Sequence, residues 1–230
     1  MAYAMLYLLH KHKNDCIVAP ADVCNAFSYG SQTMLWNAPA GILYIAGEVR
    51  AALKRCSQRK DVRFIVAPLY MYTSSSNAHY NYLVYDTHTE ALERFEPHGG
   101  VSIGRYKTDK MDKAIVQSWG SLVPIREYYL PMSYCPRDAF QVYQAAEDKK
   151  TQGDAGFCAA WATWYADLRL GNPDVPREEL VMYSLEVLKA SPVTLTNFIR
   201  GYAKFVTKSK ETYKNFAAAM KAEMCKNKNN

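Results

Sequence analysis

A chain of 230 residues, 49% of them hydrophobic, is long enough to bury a core of its own and fits one domain with elaborations. Its 28 basic and 22 acidic residues leave a net charge of +6, much of it in residues 201–230, where seven lysines stand against Glu211 and Glu223. No segment approaches 18 uninterrupted apolar residues, and the basic residues of MAYAMLYLLHKHKND follow its apolar run, so neither a membrane span nor a secretory leader is expected. The expectation is a soluble, cytoplasmic protein, with host cytoplasm or a virion as its place if the source is viral.

The six cysteines (16, 24, 56, 135, 158 and 225) contain no Cys-x-x-Cys pair, and the five histidines form no close cluster with them. That pattern predicts reduced thiols, no disulfide framework, no metal site and no cofactor. The lysine-rich end is read first as a solvated helix face with a tail, and second as a weak nucleic-acid attraction.

Residues 1–58 are mixed, with helices expected over 19–29 and 45–57. Trp36, in SQTMLWNAPAG, is a candidate for lining a substrate cleft, with a half-buried anchor as the competing reading. Residues 62–73 (VRFIVAPLYMYT) are β-branched and aromatic and predict a strand, with Pro68 at a bulge or edge. HYNYLVYD (79–86) and LERFEP (92–97), joined by the polar THTEA, predict a β-hairpin. AFQVYQ (139–144) is read as a fourth strand, followed by the polar loop AAEDKKTQGDAG.

From Phe157 the period changes. Phe157, Ala160, Trp161, Trp164 and Leu168 make one helical stripe, with Cys158 one step beside it in the first turn. After the break GNPDVP, helices are expected over 178–189, 194–207 and 209–224. No internal repeat is present.

A thiol in the first turn of a helix meets the positive end of the helix dipole and unpaired N–H groups, which favour its thiolate. Cysteine catalysis also needs a histidine to move the proton, a carboxylate or amide to orient it, and donors for an oxyanion. His79 opens one arm of the hairpin and Glu96 closes the other, which makes them cross-strand neighbours. Gln152 precedes Cys158 by six residues, in the segment leading into the helix. Asp86 lies seven residues along the strand from His79, roughly 23 Å away, and is read as a turn former. His88 is read as an exposed loop residue, and His98 as part of a Pro-Gly turn with a minor chance of touching substrate.

The order HY, then FEPHG, then a Gln six residues before a Cys resembles the clan CE cysteine proteases, the adenain-like and ubiquitin-like-protein-specific (SUMO) proteases, over residues 62–169. The resemblance implies an α+β cysteine-protease fold: a central mixed β-sheet, the nucleophile on a buried central helix, and extra helices at the C-terminus. It implies Cys158 as nucleophile, His79 as general base and acid, Glu96 as the orienting carboxylate, and Gln152 with the Cys158 N–H as the oxyanion hole. Tyr80 stands where the family usually has Trp, so the aromatic clamp on substrate takes another shape, and Ala159 stands where many relatives have Gly.

One catalytic domain spans 1–230: an extension (1–58), a protease core (59–170) and a helical elaboration (176–230). The implied activity is a thiol endopeptidase cutting after small residues, glycine above all, in a viral polyprotein or precursor. The alternatives are a protease acting on ubiquitin or SUMO, a Cys-dependent acetyltransferase, and an inactive protease-like binding module.

Overall fold

The computed structural model describes residues 2–18, 34–73, 78–101, 104–151 and 156–208, together with 212 and 215. The helices expected over 19–29 and 209–224 therefore lie outside the described residues, apart from those two positions, and so does Gln152.

The chain opens with helix α1 (Ala2–Lys11) and the short strand β1 (Cys16–Ile17). Strands β2 (Met34–Asn37) and β3 (Ile42–Ile45) form an antiparallel pair and lead into helix α2 (Gly47–Ser57). The long strands β4 (Phe64–Tyr72) and β5 (Ala78–Asp86) and the shorter β6 (Ala91–Phe95) are successive antiparallel neighbours. Helix α3 (Thr108–Gly120), strand β7 (Glu127–Tyr129) and helix α4 (Pro131–Tyr134) follow, and four helices complete the order: α5 (Phe140–Thr151), α6 (Cys158–Gly171), α7 (Arg177–Ala190) and α8 (Leu195–Lys208). The sheet runs β3-β2-β4-β5-β6-β7, with β1 also on β4; β1 and β2 lie parallel to β4 and β7 lies parallel to β6, so the sheet is mixed and the fold is α+β.

Pro68 lies inside β4, neither at an edge nor at a bulge, paired with Tyr82 of β5. On its other side β1 pairs with Ile65 and Val66, whereas β2 begins its pairing at Leu69. Proline's missing N–H thus falls in the gap between two short partner strands, where the ladder does not need it.

Strand alternation divides the core in two. Phe64, Val66, Tyr82, Val84 and Phe95 meet α1 and the C-terminal helices on one face, and Ile65, Leu69, Leu83, Tyr85 and Leu92 meet α2 and α3 on the other. Cys16 of β1 and Cys56 of α2 form a disulfide across this second layer, their Cα atoms 6.0 Å apart. This corrects the expectation that every thiol is reduced: β1 lying parallel to β4, with α2 packed over the same face, brings together two cysteines 40 residues apart.

Residues 139–144 are not a strand, and the polar stretch after them is largely helix α5. Phe140, Gln144 and Asp148 recur every four residues on its buried face, and two of the three are polar, which hides the stripe from a hydrophobicity reading. Each polar member is satisfied. Gln144 accepts from Trp161 Nε1 at 2.9 Å and donates to Asp148 at 2.6 Å, and Asp148 accepts from Thr196 Oγ1 at 3.0 Å.

On the same helix, the Glu147 carboxylate accepts the backbone N–H groups of Leu195 (3.2 Å) and Thr196 (2.9 Å) and so caps α8 from a distance. Glu147→Ala is expected to lower stability by about 1 kcal/mol, the usual worth of a cap, seen as an earlier denaturation midpoint at unchanged slope. An unmoved midpoint would refute the capping role.

Candidate active site

Helix α6 carries Cys158 as its first residue. Alanines at 159, 160, 162 and 166 favour the helix, and Ala162 and Ala166, both fully buried, let it lie close on β5 while Trp161 and Tyr165 fill the core. The deepest face of α6 is Cys158, Trp161, Ala162, Tyr165 and Ala166, so Cys158 belongs to the buried face; Phe157, Ala160, Trp164 and Leu168 form its partly covered flank. The first N–H groups of a helix have no carbonyl four residues back, so this start presents donors beside the sulfur.

His79 is the second residue of β5, and Glu96 directly follows β6. The register pairs Tyr82 with Phe95, which sets Asn81 opposite Glu96 and His79 two residues away on the same face. His79 Nε2 and Glu96 Oε1 are 2.7 Å apart, and both side chains are almost wholly buried. The Cys158 side chain lies close enough to the imidazole to act on its protonation. Nε2 is committed to Glu96.

Burial by itself would lower the His79 pKa, but the charge of Glu96, the neighbouring Cys158 side chain and the hydrogen bond to Glu96 together raise it to about 9. Burial would likewise raise Glu96, yet the charge of His79 and hydrogen bonds from His79 and His98 hold its carboxyl well below the usual range. The pair is thus an imidazolium and a carboxylate at neutral pH. Cys135, also a free thiol among the described residues, stays a thiol: burial first, then the negative charges of Glu96 and Glu93, push its pKa well above that of an ordinary cysteine.

Glu96 is held from both sides. Oε1 accepts from His79, from the His98 backbone N–H at 3.0 Å and from His98 Nδ1 at 3.0 Å, and Oε2 accepts from Asn81 Nδ2 at 3.0 Å. Arg94 Nη1 donates to Asn81 Oδ1 at 2.8 Å, which fixes which end of the amide faces Glu96, and Arg94 itself is clamped by both oxygens of Asp112 at 2.7 and 2.8 Å. Asn81, Arg94 and Asp112 were not singled out in the sequence. The available signal was a charged arginine on a strand face that otherwise carries Leu92.

Tyr106, itself buried, stacks beside His79 with ring centroids 5.6 Å apart, and Trp36 Nε1 donates to the Tyr106 carbonyl at 2.6 Å. Trp36 is fully buried, which corrects its reading as a cleft-lining residue: its indole braces the residue behind the histidine. Tyr80 points to the sheet face opposite His79 and lies against Tyr70, ring centroids 5.0 Å apart. Asp86 sits at the far end of β5, where Oδ1 accepts the His88 N–H at 2.9 Å; His88 is exposed, and neither reaches the site.

No protein-family model matches the chain. An ankyrin repeat protein of Acanthamoeba polyphaga mimivirus, L371, is 32% identical over 166 residues, 66% of this chain and 21% of that protein, so the chain spans about a fifth of the length of the curated relative it matches. Among solved structures, the Chlamydia trachomatis effector Cdu1 bound to ubiquitin shares 9% identity at a TM-score of 0.48, covering 90% of each chain. The Chlamydia trachomatis effector ChlaDUB1 shares 9% at 0.46, over 92% of this chain and 82% of its own, and the Chlamydia abortus effector ChlaDUB shares 14% at 0.38, over 87% and 96%.

Proposed function

We propose that the chain is a thiol hydrolase of clan CE type that cleaves peptide or isopeptide bonds, with Cys158 as nucleophile, His79 as proton carrier and Glu96 as the group that orients it. The observation that supports this reading most is the buried His79–Glu96 pair, with Cys158 acting on the same imidazole from the start of a helix.

In this reading the thiolate attacks the substrate carbonyl carbon and a tetrahedral oxyanion forms. The Cys158 N–H donates to that oxyanion, with Gln152 as the second donor. Imidazolium His79 protonates the leaving amine as the carbon–nitrogen bond breaks, which leaves an acyl-enzyme and a neutral imidazole. That imidazole then takes a proton from water as the water attacks the thioester. Collapse releases the acid product and the thiolate, and His79 is again protonated.

The first substrate class we assign is a ubiquitin-like modifier with a glycine end, and the second is a glycine-containing site in a polyprotein. Glycine-ended electrophilic probes built on ubiquitin, on SUMO and on a short Gly-Gly peptide separate the two, with the adduct mapped by mass spectrometry. The expected adduct is on Cys158. An adduct on Cys135, or no reaction with any probe, would overturn the proposal. Reaction with the peptide probe but neither modifier would favour polyprotein cleavage.

A further inference from the structure

In the sequence His98 lies 19 residues beyond His79, and nothing in the hydrolytic steps uses it. The hairpin nevertheless sets the two rings 4.8 Å apart, tilted by 49°, and aims a nitrogen of each at one oxygen: His79 Nε2 and His98 Nδ1 stand 2.7 and 3.0 Å from Glu96 Oε1. The three ligand atoms all lie within 4.8 Å of one another, and among the described residues no lysine or arginine makes an ion pair with Glu96.

We propose that His79, Glu96 and His98 form an inhibitory site for a divalent transition-metal ion of the zinc type. Two imidazoles and one carboxylate are a donor set that zinc favours, with bonds of about 2.0–2.1 Å to nitrogen. Four such bonds in a tetrahedron place neighbouring ligand atoms about 3.4 Å apart. The nitrogen–oxygen separations, now 2.7 and 3.0 Å, must open by a few tenths of an ångström to reach that spacing, and the carboxylate must swing aside so that an ion can stand between the three atoms. Access is through His98, whose side chain keeps 28% of its surface exposed while those of His79 and Glu96 keep 3% and 2%.

Binding exchanges the two N–H protons directed at Glu96 for one M²⁺ and releases them to solvent, with no change of oxidation state. With Nε2 on the ion, His79 keeps a single ring proton on Nδ1 and cannot become an imidazolium, so it cannot cycle between the two forms and the chemistry at Cys158 stops until a chelator removes the ion. The effect on hydrolysis rests on the thiol-hydrolase reading; the metal binding does not.

The test uses the full chain carrying Cys158→Ala, which removes the nearby thiol as a ligand and makes activity irrelevant. Zinc chloride titrated into this protein is expected to bind at one equivalent by calorimetry, and cobalt chloride to give the visible absorption of a low-coordinate Co²⁺ site. Adding His98→Ala or His98→Gln should weaken binding by at least about tenfold, as the loss of a ligand requires. The glutamine variant keeps a donor for Glu96, and circular dichroism confirms that both variants fold. No binding at roughly 100 μM metal, or equal binding in both His98 variants, would overturn the site. In the native-cysteine protein, zinc inhibition should be reversed by EDTA and weakened by His98→Gln. Equal potency there would put the ion on the Cys158 sulfur instead and overturn the proposal as well.

Discussion

On the proposed mechanism, Cys158→Ala is expected to abolish turnover, on the order of 10⁴-fold or more, because it removes the atom that forms the acyl-enzyme. His79→Ala should cost about 10²–10⁴-fold, the range for losing general acid-base transfer. Glu96→Gln acts through the histidine and has its own signature. The free enzyme's alkaline limb reports loss of the imidazolium proton, which His79 holds to about pH 9. Glutamine removes the opposing charge while burial persists, so that limb must move toward lower pH. A wild-type limb unmoved by Glu96→Gln, or full turnover in Cys158→Ala measured with a glycine-ended fluorogenic substrate, would refute the assignment.

The same pair makes a statement about stability. His79 is raised above its ordinary 6.5, so its pairing stabilises the fold fully below about pH 6.5 and the contribution fades as pH rises through about 9. Glu96 is lowered from 4.5, so its contribution is complete above that value and fades on acidification. Thermal melts between pH 5 and pH 9 should accordingly peak in the lower half of that window in wild type and flatten there in His79→Ala.

Glu93→Ala is expected to destabilise the chain by about 3–5 kcal/mol, or roughly 10 °C in Tm for a protein of this size. Glu93 is buried on β6 and accepts from Tyr165 Oη at 2.9 Å, from Arg169 Nε at 3.3 Å and from Arg177 Nε at 2.7 Å. Removing it strands a buried guanidinium, Arg169, against the face that seats α6. The exposed Arg59–Asp61 pair is the control, since its loss should leave Tm unmoved. A Glu93→Ala melt as high as wild type would show that the cluster is decoration.

The residues legible in the sequence were those fixed by local geometry. A hairpin with complementary arms places His79 by Glu96, and a change from period 2 to period 3.6 places Cys158 at a helix start. What was hidden depended on partners remote in the chain. Gln144 and Asp148 look like loop residues until Trp161 and Thr196 supply their hydrogen bonds. Glu93 and Arg94, adjacent charges on opposite faces of one strand, give the sheet a buried charge on each side, and only α6 and α7 on one face and α3 on the other make that tolerable. His98 read as an ordinary turn residue because nothing in its own neighbourhood shows that the turn folds back onto Glu96.

That turn also decides where the chain tolerates change. Gly99 adopts φ +113°, and a Cβ there would stand 2.5 Å from the Pro136 carbonyl oxygen. Around it, Gly100 donates to Pro136 at 2.8 Å, Ala139 to His98 at 2.9 Å and Gln141 to Pro97 at 3.0 Å, so the turn is sewn to the start of α5. The two ends of the hairpin are therefore unequal as engineering sites. The exposed His88–Thr89 tip is the place for inserted tags or loops, whereas a single methyl group at the Gly99 end would be transmitted both to Glu96 and to α5.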